Sequence, residues 1–99
     1  MAEVTAEEAA HRHARAAVDG NLGQLMSDLT PEALGGLMAQ GGAGTGFQQP
    51  SGYELKLHAQ EGDDYVFDIT YAGPTGNVTL RDRFCEIGGQ WKVVDAKIL

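Results

Sequence analysis

The sequence predicts an α+β domain, with three N-terminal helices packed on a curved, cone-like four-stranded antiparallel sheet. Three observations predict it. Apolar residues recur at helical spacing over the first forty positions, then alternate with period two from Tyr53 onward. Short turns rich in glycine divide that second half into four runs. Helices first and strands afterwards place the helices on one face of an antiparallel sheet.

Ninety-nine residues suit a single domain, 1–99, that buries roughly two-thirds of its unfolded surface. The composition, 42% hydrophobic and 21% charged, is that of a soluble globular protein. Seven Lys/Arg against fourteen Asp/Glu give a net charge of −7, which disfavours nucleic acid and anionic membranes as partners. No run approaches the roughly 20 apolar residues that cross a bilayer. Cys85 is the single cysteine and has no internal disulfide partner. Met1 to Thr5 lacks the basic start and apolar run of a signal peptide, so the expected location is cytoplasmic.

The first helix begins at Thr5-Ala6-Glu7-Glu8, which has capping-box spacing, and runs through alanine-rich sequence to Asp19 before Gly20 ends it. Ala6, Ala9, Ala10, Ala14 and Ala17 share one face, with His13 near its centre. His11 falls on the opposite side with Arg12 and Arg15, so His11-x-His13 is not a ligand pair. A second helix carries Leu22, Leu25, Met26 and Leu29 as one apolar stripe. Thr30-Pro31-Glu32 starts a third, with Leu34, Leu37 and Met38 inward. Gly41 to Gly52 lacks the ending of a phosphate loop and follows a helix, which makes it a connector, with Phe47 available as a lid.

The strands are expected near Tyr53–Gln60, Asp64–Ala72, Asn77–Ile87 and Gln90–Ile98. The turn Gly73–Gly76 pairs Ala72 with Asn77. Tyr71 then opposes Val78, Ile69 opposes Leu80, Phe67 opposes Asp82 and Tyr65 opposes Phe84. On the other face Thr70 meets Thr79, and Asp68 meets Arg81. Gly88-Gly89 suits a two-residue hairpin, which pairs Ile87 with Gln90, Glu86 with Trp91, Phe84 with Val93 and Asp82 with Asp95. A three-residue turn at Glu61-Gly62-Asp63 aligns Tyr53, Leu55, Leu57 and Ala59 with Tyr71, Ile69, Phe67 and Tyr65. The outer face then shows Lys56, Asp68, Arg81 and Arg83 on three strands and Val94, Ala96 and Ile98 on the last. That apolar strip predicts a homodimer through the outer sheet face.

The alanine-rich helix, Asp19-Gly20-Asn21-Leu22 with Leu25-Met26, and a long hairpin ending Gly89-Gln90-Trp91-Lys92-Val93-Val94-Asp95 resemble the nuclear transport factor 2-like superfamily. Ketosteroid isomerases, polyketide cyclases and scytalone dehydratase belong to it, beside many members with no known activity. The resemblance implies a cystatin-like α+β cone, often enclosing a ligand pocket and often dimeric. This chain is short for that group and lacks the strand usually found between the early helices.

Asp82 and Asp95 are the leading catalytic candidates, because two carboxylates in one desolvated place hold a proton near neutrality. With His13 facing them they resemble the Asp/His pockets of the isomerase and dehydratase relatives. The alternative places both at the solvated rim of the sheet. Tyr53, Tyr65 and Tyr71 are candidate pocket hydroxyls or core aromatics, and Phe67, Phe84 and Trp91 either line a pocket or fill it. His58 alternates outward with Glu54, Lys56 and Gln60. Cys85 reads as a structural thiol. The three histidines share no face, so neither a metal nor a cofactor is expected. The leading expectation is a small ligand-binding or accessory domain without chemistry, taking an apolar or carbonyl-containing molecule. An isomerase, cyclase or dehydratase-like enzyme and a dimerisation module with a filled core are the alternatives.

Overall fold

A computed structural model describes residues 4–39, 50–73 and 76–99. Its elements follow the chain as α1 (Ala6–Asp19), α2 (Leu22–Asp28), α3 (Pro31–Ala39), β1 (Gly52–Glu61), β2 (Asp64–Gly73), β3 (Gly76–Ile87) and β4 (Gln90–Ile98). The strands form one antiparallel meander in the order β1-β2-β3-β4, and the sheet stays open. The α+β layout expected from the sequence is therefore present. The glycine-rich connector with Phe47, the centre of the Gly73–Gly76 turn and the side chains of Leu22, Leu37 and Met38 lie outside the described residues.

Each helix starts on its own side-chain acceptor. The Thr5 hydroxyl accepts from the Glu8 amide at 3.1 Å while the Glu8 carboxylate accepts from the Thr5 amide at 3.2 Å. Asn21 Oδ1 caps α2 by accepting from the Gln24 amide at 3.2 Å, and Thr30 Oγ1 does so for α3 at the Ala33 amide, 3.2 Å. Gly20 closes α1 in the left-handed region at φ 71°, a conformation that suits glycine.

The alanines of α1 let its axis come close to the sheet. Ala10 and Ala14 are fully buried, and Ala6, Ala17 and Ala33 join Phe67, Ile69, Tyr71, Phe84, Val93 and Ala96 in one core. Phe84, Ile69 and Val93 are the largest fully buried side chains, each stabilising by roughly 1.5–3 kcal/mol. A parallel bridge between Leu29 and Val93, and the Thr30 amide donating to the Val93 carbonyl at 3.0 Å, tie the helical half to β4.

The β2–β3 register is the expected one, from Ala72 opposite Asn77 to Tyr65 opposite Phe84. On its outer face Arg81 grips Asp68 with two parallel bonds of 2.8 and 3.0 Å, which hold that carboxyl below its usual range. Thr70 and Thr79 share a hydrogen bond of 2.8 Å, and Arg83 pairs with both Asp64 and Glu61.

The two outer strands each depart from the expected pairing by one residue. In β1, Tyr53, Leu55 and Leu57 oppose Tyr71, Ile69 and Phe67 as expected. An extra residue at His58 then shifts the ladder, so Ala59 meets Val66 rather than Tyr65, and the turn tightens to Gly62-Asp63. The bulge reconciles a two-residue turn with a continuous apolar face.

In β4, Ile87–Gln90, Glu86–Trp91 and Phe84–Val93 pair as expected, through a turn whose two glycines have φ of 59° and 82°. Val94 is then the extra residue, and Asp95 opposes Arg83 while Ala96 opposes Asp82. One inserted residue reverses the faces beyond it. Asp95 is exposed, Ala96 is 3% exposed in the core, and Ile98 pairs with inward Leu80. The expected Asp82–Asp95 pair and the expected outer strip of Val94, Ala96 and Ile98 are both corrected: of the strip, only Val94 keeps its place off the core face.

Candidate functional site

His13 reaches the interior because α1 turns its alanine face to the sheet, and the ring is the one large polar group on that face. It meets two carboxylates from different elements. Nδ1 lies 2.9 Å from Asp28 Oδ2, at the end of α2, and Nε2 lies 3.8 Å from Asp82 Oδ2 on β3. All three residues are buried, with exposures of 5%, 5% and 2% for His13, Asp28 and Asp82. The edge of the His13 ring meets Phe84, with centroids 6.0 Å apart.

An ionised carboxylate only accepts hydrogen bonds, so Asp28 fixes the proton of His13 on Nδ1. Gln24 donates to the other oxygen of Asp28 at 2.8 Å, so each oxygen of that carboxylate has a partner. Burial pushes the Asp82 carboxyl up to about 6. His13 beside it works against the shift, while the charges of Asp68 and Asp95 add to it. Burial likewise raises the Tyr71 phenol, helped by the nearby charge of Asp82 and by Tyr53.

Of the three expected catalytic residues the fold brings together His13 and Asp82, and it sends Asp95 to the outer face. Asp28 replaces it as the second acid. Its position was legible only in part. Asp28 stands three residues after inward Leu25 and four after Gln24, a spacing that places it beside both on one helix. The stripe drawn through Met26 pointed elsewhere. Met26 is 53% exposed, because α2 is rotated so that Leu25, Asp28 and Leu29 face inward.

The aromatic candidates divide by position. Phe67 and Phe84 are core residues, in edge contact at 5.8 Å, and Tyr71 is buried with them. Tyr65 stacks on Phe67 and meets the edge of Trp91, and the Trp91 indole donates to the Val4 carbonyl at 2.9 Å. Tyr53 sits at the rim, its hydroxyl 2.7 Å from His11 Nδ1. His11 is accordingly half-buried and bound, a correction to its expected place in solvent. His58 is exposed as expected, and no cluster of metal-binding side chains occurs among the described residues. The Cys85 thiol is pushed up, chiefly by a hydrogen bond with Asp64, which suits a structural role better than attack.

Two surface cavities flank the segment from Val4 to Glu7, and neither is lined by His13 or Asp82. One, of about 290 Å³, is an apolar hollow under the start of α1, lined by Thr5, Ala6, Glu7, Leu57, Tyr65 and Phe67. The other, of about 560 Å³, is a polar cleft between α1, α2 and the β3–β4 hairpin, with Asp28 in its wall. Comparisons with family models, curated proteins and solved structures match nothing to this chain.

Proposed function

We propose that the chain is a small ligand-binding or accessory domain without chemistry of its own, and a short member of the nuclear transport factor 2-like group. The observation that carries this reading is the position of Leu57. By register it belongs to the inner face opposite Phe67, yet it is 53% exposed, beside the first residues of α1. Leu57, Tyr65 and Phe67 therefore offer apolar surface in a hollow large enough for a small molecule. Its lining suits a small apolar or carbonyl-containing ligand, with the Thr5 side chain as the polar group at hand.

Titration with cyclohexanone, followed by NMR at the Leu57 methyls and the Tyr65 ring, tests the proposal. A saturable shift with a dissociation constant of about a millimolar, abolished in Leu57→Glu, supports it. Linear drift in both proteins ends it.

An acid–base enzyme acting at His13, Asp82 and Asp95 is the less favoured reading, because Asp95 is on the outer face and the other two are packed among Phe84 and Ala96. A filled core is what a dimerisation module has, but the outer face carries paired charges where that module needs apolar area. Homodimerisation through the outer face loses most of its expected apolar strip to the β4 bulge and is left to a separate measurement. Sedimentation velocity reads it, and a single monomeric boundary across a hundredfold range of concentration removes it.

A further inference from the structure

The polar cleft collects cations in a protein whose net charge is −7. Arg12 projects from α1 into it and has no hydrogen-bond or carboxylate partner among the described residues. Lys92 enters from β4, its ammonium spending one donor on the Ser27 carbonyl at 2.7 Å and leaving two. Among the described lining residues the one acidic side chain is Asp28, which is 5% exposed and already bonded through one oxygen to His13 and through the other to Gln24. A guanidinium with no partner among the described residues and an ammonium with two donors to spare thus face the same space, and the acid in its described lining is buried and bonded.

The cleft also has an apolar wall. Trp91 lines it, held in place by its bond to the Val4 carbonyl and by the edge contact with Tyr65 at 5.7 Å. The hairpin turn Gly88-Gly89 closes that side without bulky side chains. A planar guanidinium matches a carboxylate with two parallel hydrogen bonds, and an indole accepts a flat apolar group.

We infer that this cleft is a second binding site, which takes a small organic carboxylate with a flat apolar body, the carboxylate on Arg12 and Lys92 and the body against Trp91. It is separate from the apolar hollow, so either site stands or falls alone. Asp28 links it to the interior, because the carboxylate that holds His13 forms part of the cleft wall.

Trp91 is the single tryptophan, so its fluorescence reports on the cleft directly. Benzoate and its neutral counterpart benzamide are titrated into the intact chain and into Arg12→Gln, Lys92→Gln and a control, Arg15→Gln. The expected result is a saturable change with benzoate in the wild type and the control, with a dissociation constant of about a millimolar. Either cleft substitution weakens it about tenfold, as the loss of a charged hydrogen bond requires. Added salt also weakens it. An equal response to benzamide, an unaltered response in both cleft variants, or no saturable change with benzoate each overturns the inference.

Discussion

Asp28 holds Nδ1 of His13 at 2.9 Å across fifteen residues of sequence, and so decides which side of the imidazole faces Asp82. With its proton committed to Asp28, a neutral ring turns a lone pair towards Asp82. The approach of 3.8 Å is attractive only when a proton sits on Nε2 or on the Asp82 carboxyl. The three side chains form one buried polar contact that joins α1, α2 and β3.

Removing the outer acid leaves this unit without its anchor. Asp28→Ala is expected to cost about 3 kcal/mol in urea unfolding, the range for breaking a buried charged contact. Asp28→Asn keeps an acceptor for Nδ1 and loses less. Arg15→Ala, on exposed α1 surface, stays within about 0.5 kcal/mol and serves as the reference.

The pH dependence of stability follows from Asp82. Its carboxyl rises from an ordinary 3.8 to about 6 in the fold, so between those values the folded chain keeps a proton that the unfolded chain has lost. The stabilisation is complete below about 4 and is lost as pH rises through about 6. Two pH units of separation correspond to a swing on the order of 3 kcal/mol. Urea midpoints measured from pH 4 to 7 are expected to fall across this window in the wild type relative to Asp82→Asn, which has no carboxyl there to titrate. Parallel profiles would remove Asp82 as the source.

The β4 bulge makes Asp95 dispensable and Ala96 sensitive. Asp95→Ala removes an exposed group opposite Arg83 and is expected to shift stability by less than about 1 kcal/mol. Ala96→Asp puts a second carboxylate beside buried Asp82 and costs several kcal/mol, enough to leave a small domain unfolded. The opposite order of effects, read by circular dichroism melts, would restore the regular register.

At the rim, Tyr53→Phe deletes the partner of His11 Nδ1 and nothing else. A loss of about 1 kcal/mol is expected. The His11 ring protons should move in the NMR spectrum, whereas those of His13 should not.

The sequence carried most of the fold because its signals were local. Capping at Thr5 and Thr30, glycine at 20 and 88–89, and alternation along β2 and β3 each depend on neighbours within a few positions. The face of α1 that buries His13 was equally plain. Strand alternation, however, propagates from the turn onward and has no local mark for an inserted residue. Val93 and Val94 are identical in chemistry, so nothing distinguished the paired valine from the bulged one, and the reading of Asp95 inverted with it. Asp28 escaped for a related reason. A seven-residue helix has too few apolar positions to fix its rotation, and which acid meets a histidine fifteen residues away is a tertiary fact.

Both bulges lie in the outermost strands of the four-stranded order: the far edge of β1 has no strand beside it among the described residues, whereas that of β4 is bridged at Val93 by Leu29 and Thr30. An extra residue throws the free amides and carbonyls out of step with those of an incoming straight strand. Another chain that aligned with the first half of β1 would lose its bonding past His58, and one approaching β4 would meet the Leu29 bridge at Val93. The His58 bulge on one edge and the Leu29 bridge on the other are thus well placed to stop the sheet from growing, keeping a meander of paired hairpins from becoming a template for aggregation.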